Sequence, residues 1–348
     1  MGTLPSLKFG KFETKYPVIQ AGMGVRVAAG KLAGTVIKHG GVGVIASVGL
    51  CKPEEAIGRQ FVEACNSALR DEIKIAREIS GGKGPLGVNI MVALTNYEEL
   101  ARTAVDAGID FIISGAGLPV RLPAYVPEEV ALIPVISSGR AAGIVLRTWR
   151  KKYNRKPAAI VIEGPLCGGH LGFSNDQIEN PDECSIDVLL QEVKDVLKQE
   201  ELDVPLLAAE SVKNKADIDT LIAMGFDGVQ VGTRFILTEE SGVADASKEV
   251  WRNATVDDVV VMKSPVGMPV RVLKTPLVVQ ALRGESRPIK CPYKCLITCD
   301  FKTVPFCIAN ALVAVSDGDV DNGIFMTGLN ISEINDIISV EDFFKSLD

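Results

Sequence analysis

The stretch Ala158-Ala159-Ile160-Val161-Ile162-Glu163-Gly164-Pro165-Leu166-Cys167-Gly168-Gly169-His170-Leu171-Gly172 passes from an unbroken apolar run into a loop holding four glycines and one of the two histidines of the 348-residue chain. An apolar run without polar alternation is the mark of a parallel strand covered on both faces. Similar runs rich in Val and Ile recur at 17–23, 42–48, 86–92, 111–116, 133–138, 204–209 and 228–235, which with 158–164 makes eight. Between them, 54–79, 98–107, 140–151, 186–199 and 215–224 carry apolar residues at three- and four-residue spacing and predict amphipathic helices. Ala107-Gly108 and Met224-Gly225 place glycine where helices end. The segment 117–127, with Pro119, Pro123 and Pro127, replaces most of a regular helix. Eight alternations of strand and helix over about 230 residues point to a TIM barrel before an open doubly wound sheet.

The barrel pattern ends near Thr238. The expected organisation is therefore a barrel over 1–238 and a helical extension over 239–348, packed on the barrel as a lid or side element and ending in a short helix near 340–347. A 47% hydrophobic fraction supports a large core, and a net charge of -7 without a dense basic run argues against nucleic acid or an anionic membrane as partner. The basic residues between Arg147 and Lys156 read as a solvated helix end. No apolar stretch of membrane-spanning length and no export signal are found, so a cytoplasmic protein with reduced thiols is expected.

In a TIM barrel, reactive groups sit at the C-terminal ends of the strands. Those ends offer Gln20 to Gly24, Asn89, Ser114 to Gly117, Ser137-Ser138, Glu163 with Gly168-Gly169-His170, Glu210-Ser211, and Gln230 to Arg234. Histidine is the side chain whose unperturbed charge change falls near neutral pH, and glycines let backbone approach a ligand. His39, in Lys38-His39-Gly40-Gly41, reads as a solvent-facing helix end.

The ordered set Pro17-Val18-Ile19-Gln20-Ala21-Gly22-Met23, Gly87-Val88-Asn89, Glu163 through Gly172, and Gly228-Val229-Gln230-Val231-Gly232-Thr233-Arg234-Phe235 resembles the nitronate monooxygenase family, which also contains FMN-dependent enoyl-acyl-carrier-protein reductases, over residues 5 to 282. The resemblance implies FMN, contacted by Gly22, Met23, Asn89, Glu163, Gly168, Gly169, Ser211, Gln230, Val231, Gly232 and Thr233, with Gly232-Thr233 near the phosphate. Backbone N–H groups at a loop leading into a helix suit a dianion. His170 matches the family's active-site histidine. The implied activity is oxidation of alkyl nitronates with O2; the alternative is an NAD(P)H-dependent enoyl-thioester reductase, and a third reading is a flavin- or metal-binding redox sensor. The substrate is a small molecule in each enzymatic case. The additions after residue 239 are available for an interface between copies.

Two departures stand out. Ala208-Ala209-Glu210-Ser211 replaces the family's Gly-Gly pair after the seventh strand and puts a carboxylate near the expected phosphate; Glu163 stands where many relatives carry glutamine. Cys167 occupies the place of an alanine and is expected to be a small buried side chain. Finally, Cys291, Cys295, Cys299 and Cys307 lie close in sequence, and clustered thiolates suit zinc or an iron–sulfur cluster, although the spacing is not a common zinc pattern.

Overall fold

The computed structural model describes residues 3–51, 60–291 and 294–348. A hairpin, β1 (Leu7–Phe9) and β2 (Phe12–Thr14), precedes β3 (Val18–Gln20), α1 (Gly30–Lys38), β4 (Gly43–Ala46), α2 (Gln60–Ser80), β5 (Leu86–Met91), α3 (Tyr97–Asp106), β6 (Phe111–Gly115), β7 (Ala131–Ile136), α4 (Gly139–Tyr153) and β8 (Ile160–Glu163). After a two-residue strand β9 (Gly169–His170) and the short α5 (Asn175–Glu179) come α6 (Ile186–Gln199), β10 (Leu206–Ala209), α7 (Lys215–Met224) and β11 (Gly228–Val231).

The eight strands β3, β4, β5, β6, β7, β8, β10 and β11 form one parallel sheet in that spatial sequence. The sheet closes where β3 meets the residue before β4: Ile19 pairs with Val42, the Gln20 N–H donates to the Val42 carbonyl at 3.0 Å, and Gln20 Oε1 accepts the Val44 N–H at 3.2 Å. The expected TIM barrel is thus present, and all eight expected strand runs contain a barrel strand. The interior is filled by Ile19, Val44, Ile113, Ile133, Val161 and Leu207, with Leu7 and Phe9 of the hairpin plugging the N-terminal mouth. Phe9 meets Phe111 edge-on, with ring centroids 5.4 Å apart. Each such buried side chain stabilises the fold by roughly 1.5–3 kcal/mol relative to exposure. Only the C-terminal mouth is left for a site.

Helix ends follow the local sequence. Ser138 caps α4 by accepting the Ala141 N–H at 3.2 Å, and Asn214 with Asp217 forms a capping box on α7. Gly225 closes α7 at φ 106, a left-handed conformation open to glycine. The expected helix at 54–79 begins, among the described residues, at Gln60; residues 54–59 of that expectation lie outside them. The proline-rich segment 117–127 keeps a single 3-10 turn, Leu122–Ala124.

Beyond β11 lie α8 (Thr233–Ile236), α9 (Asp245–Asn253), β12 (Val259–Lys263), β13 (Pro269–Leu273), α10 (Pro276–Leu282), α11 (Ile308–Asp317) and α12 (Val340–Lys345). Besides the expected helices, this part therefore contains an antiparallel hairpin, β12–β13, whose alternation the sequence reading missed. Trp251 stacks edge-on against Phe325 at 4.7 Å and donates its indole N–H to the Met326 carbonyl at 3.0 Å. Phe343 and Phe344 of α12 pack on Phe235, and Phe344 also meets Tyr16. No described helix is long and apolar enough to cross a membrane.

Candidate active site

A cavity of about 340 Å³ opens at the C-terminal mouth, within the size range of small-molecule sites. Its walls take Gly22 and Met23 from the turn after β3, Asn89 from β5, Glu163 from the end of β8, and Gly168, Gly169 and His170 from the loop and strand that follow. Ser211 enters after β10, and Gln230, Gly232 and Thr233 at the end of β11. Sequence positions spread over more than 200 residues thus meet because a parallel barrel brings every strand's C-terminal end to one rim. Val231 is the exception: its side chain is 1% exposed and turns into the core instead of the cavity, while its carbonyl accepts the Ala21 N–H at 2.8 Å.

The glycines explain how polar groups reach the rim. A Cβ on Gly22 would lie 2.2 Å from the Asn89 Cβ, so glycine lets Asn89 press against the β3 turn. A Cβ on Gly168 would fall 2.5 Å from the Thr327 carbonyl carbon and 2.6 Å from the Gly328 nitrogen. Gly168→Ala should therefore push the Thr327–Gly328 backbone off the loop and cost ~1–3 kcal/mol, measurable as a lowered midpoint in urea unfolding; an unchanged midpoint would contradict this packing. Ala116 and Ser211, both on the cavity wall, adopt left-handed backbone at φ 53 and 52. Strained residues of this kind collect at ligand sites.

His170 is held in the antiparallel pairing of β9 with β13, opposite Val270. Its Nε2 lies 2.8 Å from Ser264 Oγ, and that oxygen accepts the Val266 N–H at 3.1 Å. Burial pulls the imidazole down to about 4, so the ring is neutral at physiological pH. Glu163 faces the cavity yet is packed by protein on its other sides; burial pushes its carboxyl up to about 7.

Glu210 lines the cavity, and its carboxylate is engaged by a neighbouring loop. Its Oε1 accepts the Leu166 N–H at 2.7 Å, which turns the carboxylate towards the loop after β8. Burial raises its pKa, opposed by the Leu166 N–H and the Arg271 charge. Arg271, 3% exposed on β13, donates to the Cys167 carbonyl. Cys167 is the small buried side chain expected, and burial, followed by the nearby Glu163, raises its thiol. His39 sits at the C-terminal cap of α1, away from the cavity.

Ser264, Arg271, Thr327 and Gly328 were not singled out from sequence, because all four reach the site from the extension. The Gly328 N–H donates to Thr233 Oγ1 at 3.3 Å, so the extension also touches the expected phosphate residues. The helix there is one turn, Thr233–Ile236, and the anion-binding expectation rests on local N–H groups more than on a helix dipole.

The fit of a flavin can be tested on the walls themselves. Gln230 Oε1 and Ser47 Oγ, on two residues that line the cavity, are buried without a hydrogen-bond partner, a cost that a ligand donor reaching them would remove. A Cβ on Gly232 would find nothing closer than Ala21 at 3.8 Å, which is open cradle space beside backbone N–H groups. Unpartnered polar atoms and open space on one wall fit a ligand with polar groups of its own, as a flavin has.

Cys291, Cys295, Cys299 and Cys307 all line a second cavity. As placed, however, no group of three or more potential ligands among the described residues could hold a metal ion. The metal site expected from sequence is not assembled in this structure, because the sulfurs line the cavity walls without converging on a common point.

Fold and site together define a TIM-barrel enzyme with a ligand cavity at the C-terminal mouth, roofed by its own extension. The chain belongs to the nitronate monooxygenase family, whose model matches residues 5–109 and 66–348. The match runs through the extension and past residue 282, where the sequence resemblance had been bounded. The chain is 29% identical over 280 residues to the (3aS,4S,5R,7aS)-5-hydroxy-7a-methyl-1-oxo-octahydro-1H-indene-4-carboxyl-CoA dehydrogenase of Mycobacterium tuberculosis, covering 78% of this chain and 67% of that protein. In fold it is similar to FabK from Thermotoga maritima, with a TM-score of 0.72, 24% identity, and 96% of this chain and 92% of that chain covered. A nitroalkane oxidase from Streptomyces ansochromogenes superposes with a TM-score of 0.72 at 18% identity, covering 95% and 94%.

Proposed function

We propose that this protein is an FMN-dependent oxidoreductase whose substrate is a small organic molecule bound between the flavin and His170. The observation that carries the reading is the pair of unpartnered buried atoms, Gln230 Oε1 and Ser47 Oγ, on two residues lining a cavity that also holds the neutral His170 and the open cradle at Gly232. Bound FMN would supply hydride or single-electron exchange with the substrate. Asn89, Gln230 and Glu163 would hold its ring, and the N–H groups of Ser211, Gly232 and Thr233 its phosphate. The chain's own task is to bind the substrate, exclude water and set a hydrogen bond or proton at its polar end through His170.

Nitronate oxidation with O2 is the specific activity we favour within this class, on family membership. Acyl-thioester redox chemistry is the second reading. It is supported by the apolar depth of the cavity, which continues past the barrel mouth to Phe61, Leu94, Leu296, Leu312 and Val313, and by the relative that is named for an acyl-CoA. Oxygen uptake with propyl nitronate, compared with NAD(P)H consumption with crotonyl thioesters, separates them; activity with neither would defeat both.

The cofactor assignment has its own test. Purified protein should be yellow or take up FMN on reconstitution. Gly232→Ala adds a methyl group where the free chain has room, so it should leave thermal stability within ~0.5 kcal/mol while weakening FMN binding by at least ~10-fold. Equal FMN affinity of the variant and the parent would remove the phosphate from this turn.

A further inference from the structure

We propose that Cys51 and Cys65 form a modification site in the wall of the active-site cavity, a dithiol that a hydroperoxide converts to a disulfide. This stands independently of the flavin reading.

The two sulfurs are brought together from different elements. Cys51 lies in the loop after β4, outside any described helix or strand, and Cys65 lies in the second turn of α2. Their Sγ atoms are 3.5 Å apart in an S–H···S contact. Both residues are buried, and both line the active-site cavity. On α2, Phe61, Cys65 and Leu69 follow one another at four-residue spacing and share one face. Phe61 and Cys65 line the cavity, while Leu69 joins Leu50, Leu94 and Leu100 in the core beside it.

A disulfide needs the sulfurs about 2.05 Å apart, so the pair must close by roughly 1.5 Å. Cys65 is fixed on a packed helix, and the movement falls on Cys51, whose loop backbone is not bound into a helix or sheet ladder. The apolar surroundings favour this product over further oxidation. A disulfide carries no charge, whereas a sulfinate or sulfonate at either sulfur would bury one among leucines.

The step balances in two stages. Cys51 Sγ attacks one oxygen of the hydroperoxide: an S–O bond forms, the O–O bond breaks, and an alcohol leaves with the thiol proton. Cys65 Sγ then attacks the sulfenic sulfur, the S–S bond forms, the S–O bond breaks, and water leaves with the Cys65 proton. Two thiols and one hydroperoxide thus give one disulfide, one alcohol and one water, and the two electrons lost by the sulfurs go to the O–O bond. The order follows from the contact, because the Cys51 sulfur and then burial hold the Cys65 thiol above its ordinary value, so Cys65 keeps its proton while Cys51 attacks. A second sulfur already in contact acts at an effective concentration no dissolved thiol reaches, and it captures the sulfenic acid before a second peroxide arrives.

The test treats the folded full-length protein with tert-butyl hydroperoxide, blocks the remaining thiols and maps tryptic peptides by mass spectrometry. Cleavage after Arg59 separates the two cysteines, so a Cys51–Cys65 link is read directly. That link is expected, and dithiothreitol should return both thiols. Dimedone, which traps sulfenic acids, should label Cys51 at least ~10-fold more in Cys65→Ala than in the parent, since the capturing sulfur is gone. Circular dichroism confirms that the variant folds, and the link in the parent decides the matter if it does not. Cys295 lines the same cavity and is the competing partner. The proposal is overturned if no Cys51–Cys65 link forms, whether the pair stays reduced, is carried to sulfinic acid or gives a Cys65–Cys295 bond, or if dimedone labels Cys51 equally in the parent and the folded variant.

Discussion

His170→Ala is expected to lower kcat/KM by ~10²–10⁴-fold while the protein still binds FMN. The ring lines the cavity, and its Nε2 is engaged by Ser264 at 2.8 Å. Ser264 Oγ accepts the Val266 N–H and keeps both a proton to donate to a bare Nε2 and a second lone pair to accept an Nε2–H, so the contact suits either neutral tautomer. His170 then meets the substrate as a neutral ring, whose lowered basicity makes it a weak base at neutral pH. The pH profile distinguishes the roles. With its pKa pulled down to about 4 from 6.5 by burial, His170 contributes no ionisation to kcat/KM between pH 5 and 8. Ser264→Ala should free Nε2 and reduce kcat without adding a histidine ionisation between pH 5 and 8, because burial and not the serine holds the ring neutral. A histidine ionisation appearing in that range in Ser264→Ala would show that the serine, and not burial, sets the charge state of the ring.

Glu163→Gln is expected to change both the pH dependence of catalysis and that of stability. Burial pushes the carboxyl up from 4.5 to about 7, so the folded protein keeps a proton that the unfolded chain releases. Stability from this group is complete below pH 4.5 and is lost as pH rises through 7. The full shift corresponds to about 3 kcal/mol, and the partial exposure of Glu163 on the cavity wall reduces it to roughly 1–3 kcal/mol. His170 has the opposite sign: the unfolded chain takes up a proton near 6.5 that the folded chain refuses until about 4, so stability falls as pH drops through that window. In the parent protein the two partly cancel. Urea unfolding of Glu163→Gln at pH 5 and 8 should reveal a variant that gains stability relative to the parent at the higher pH. The same substitution should abolish an ionisation near 7 in kcat/KM, since a carboxyl at that value is poised to move a proton at neutral pH. An identical difference in stability at both pH values would mean that Glu163 is ionised throughout.

Much of the barrel was legible because parallel strands buried on both faces leave continuous apolar runs, as in Ala159-Ile160-Val161-Ile162. The strand ends were legible for the same reason, and the turns at Gly22 and Gly168 follow from backbone approach that only glycine allows. The orientation of Glu210 was not, because it depends on the Leu166 N–H contributed by another loop. Nor was β12–β13: the two strands pair with each other, and β13 also pairs with the two residues Gly169–His170, too short a partner to leave a pattern.

By itself, then, the amino-acid sequence determined the eightfold alternation, the face on which reactive groups gather, and the family to which the chain belongs. Those features depend on local periodicity and on turns, which are written into short stretches of chain. Only the tertiary structure decided that His170 is a neutral ring held by Ser264, that Glu163 titrates near neutrality, and that Cys295 stands between two cavities. Each of those depends on burial and on partners about a hundred residues or more away in the chain, and dielectric surroundings are a property of packing that no local sequence pattern records.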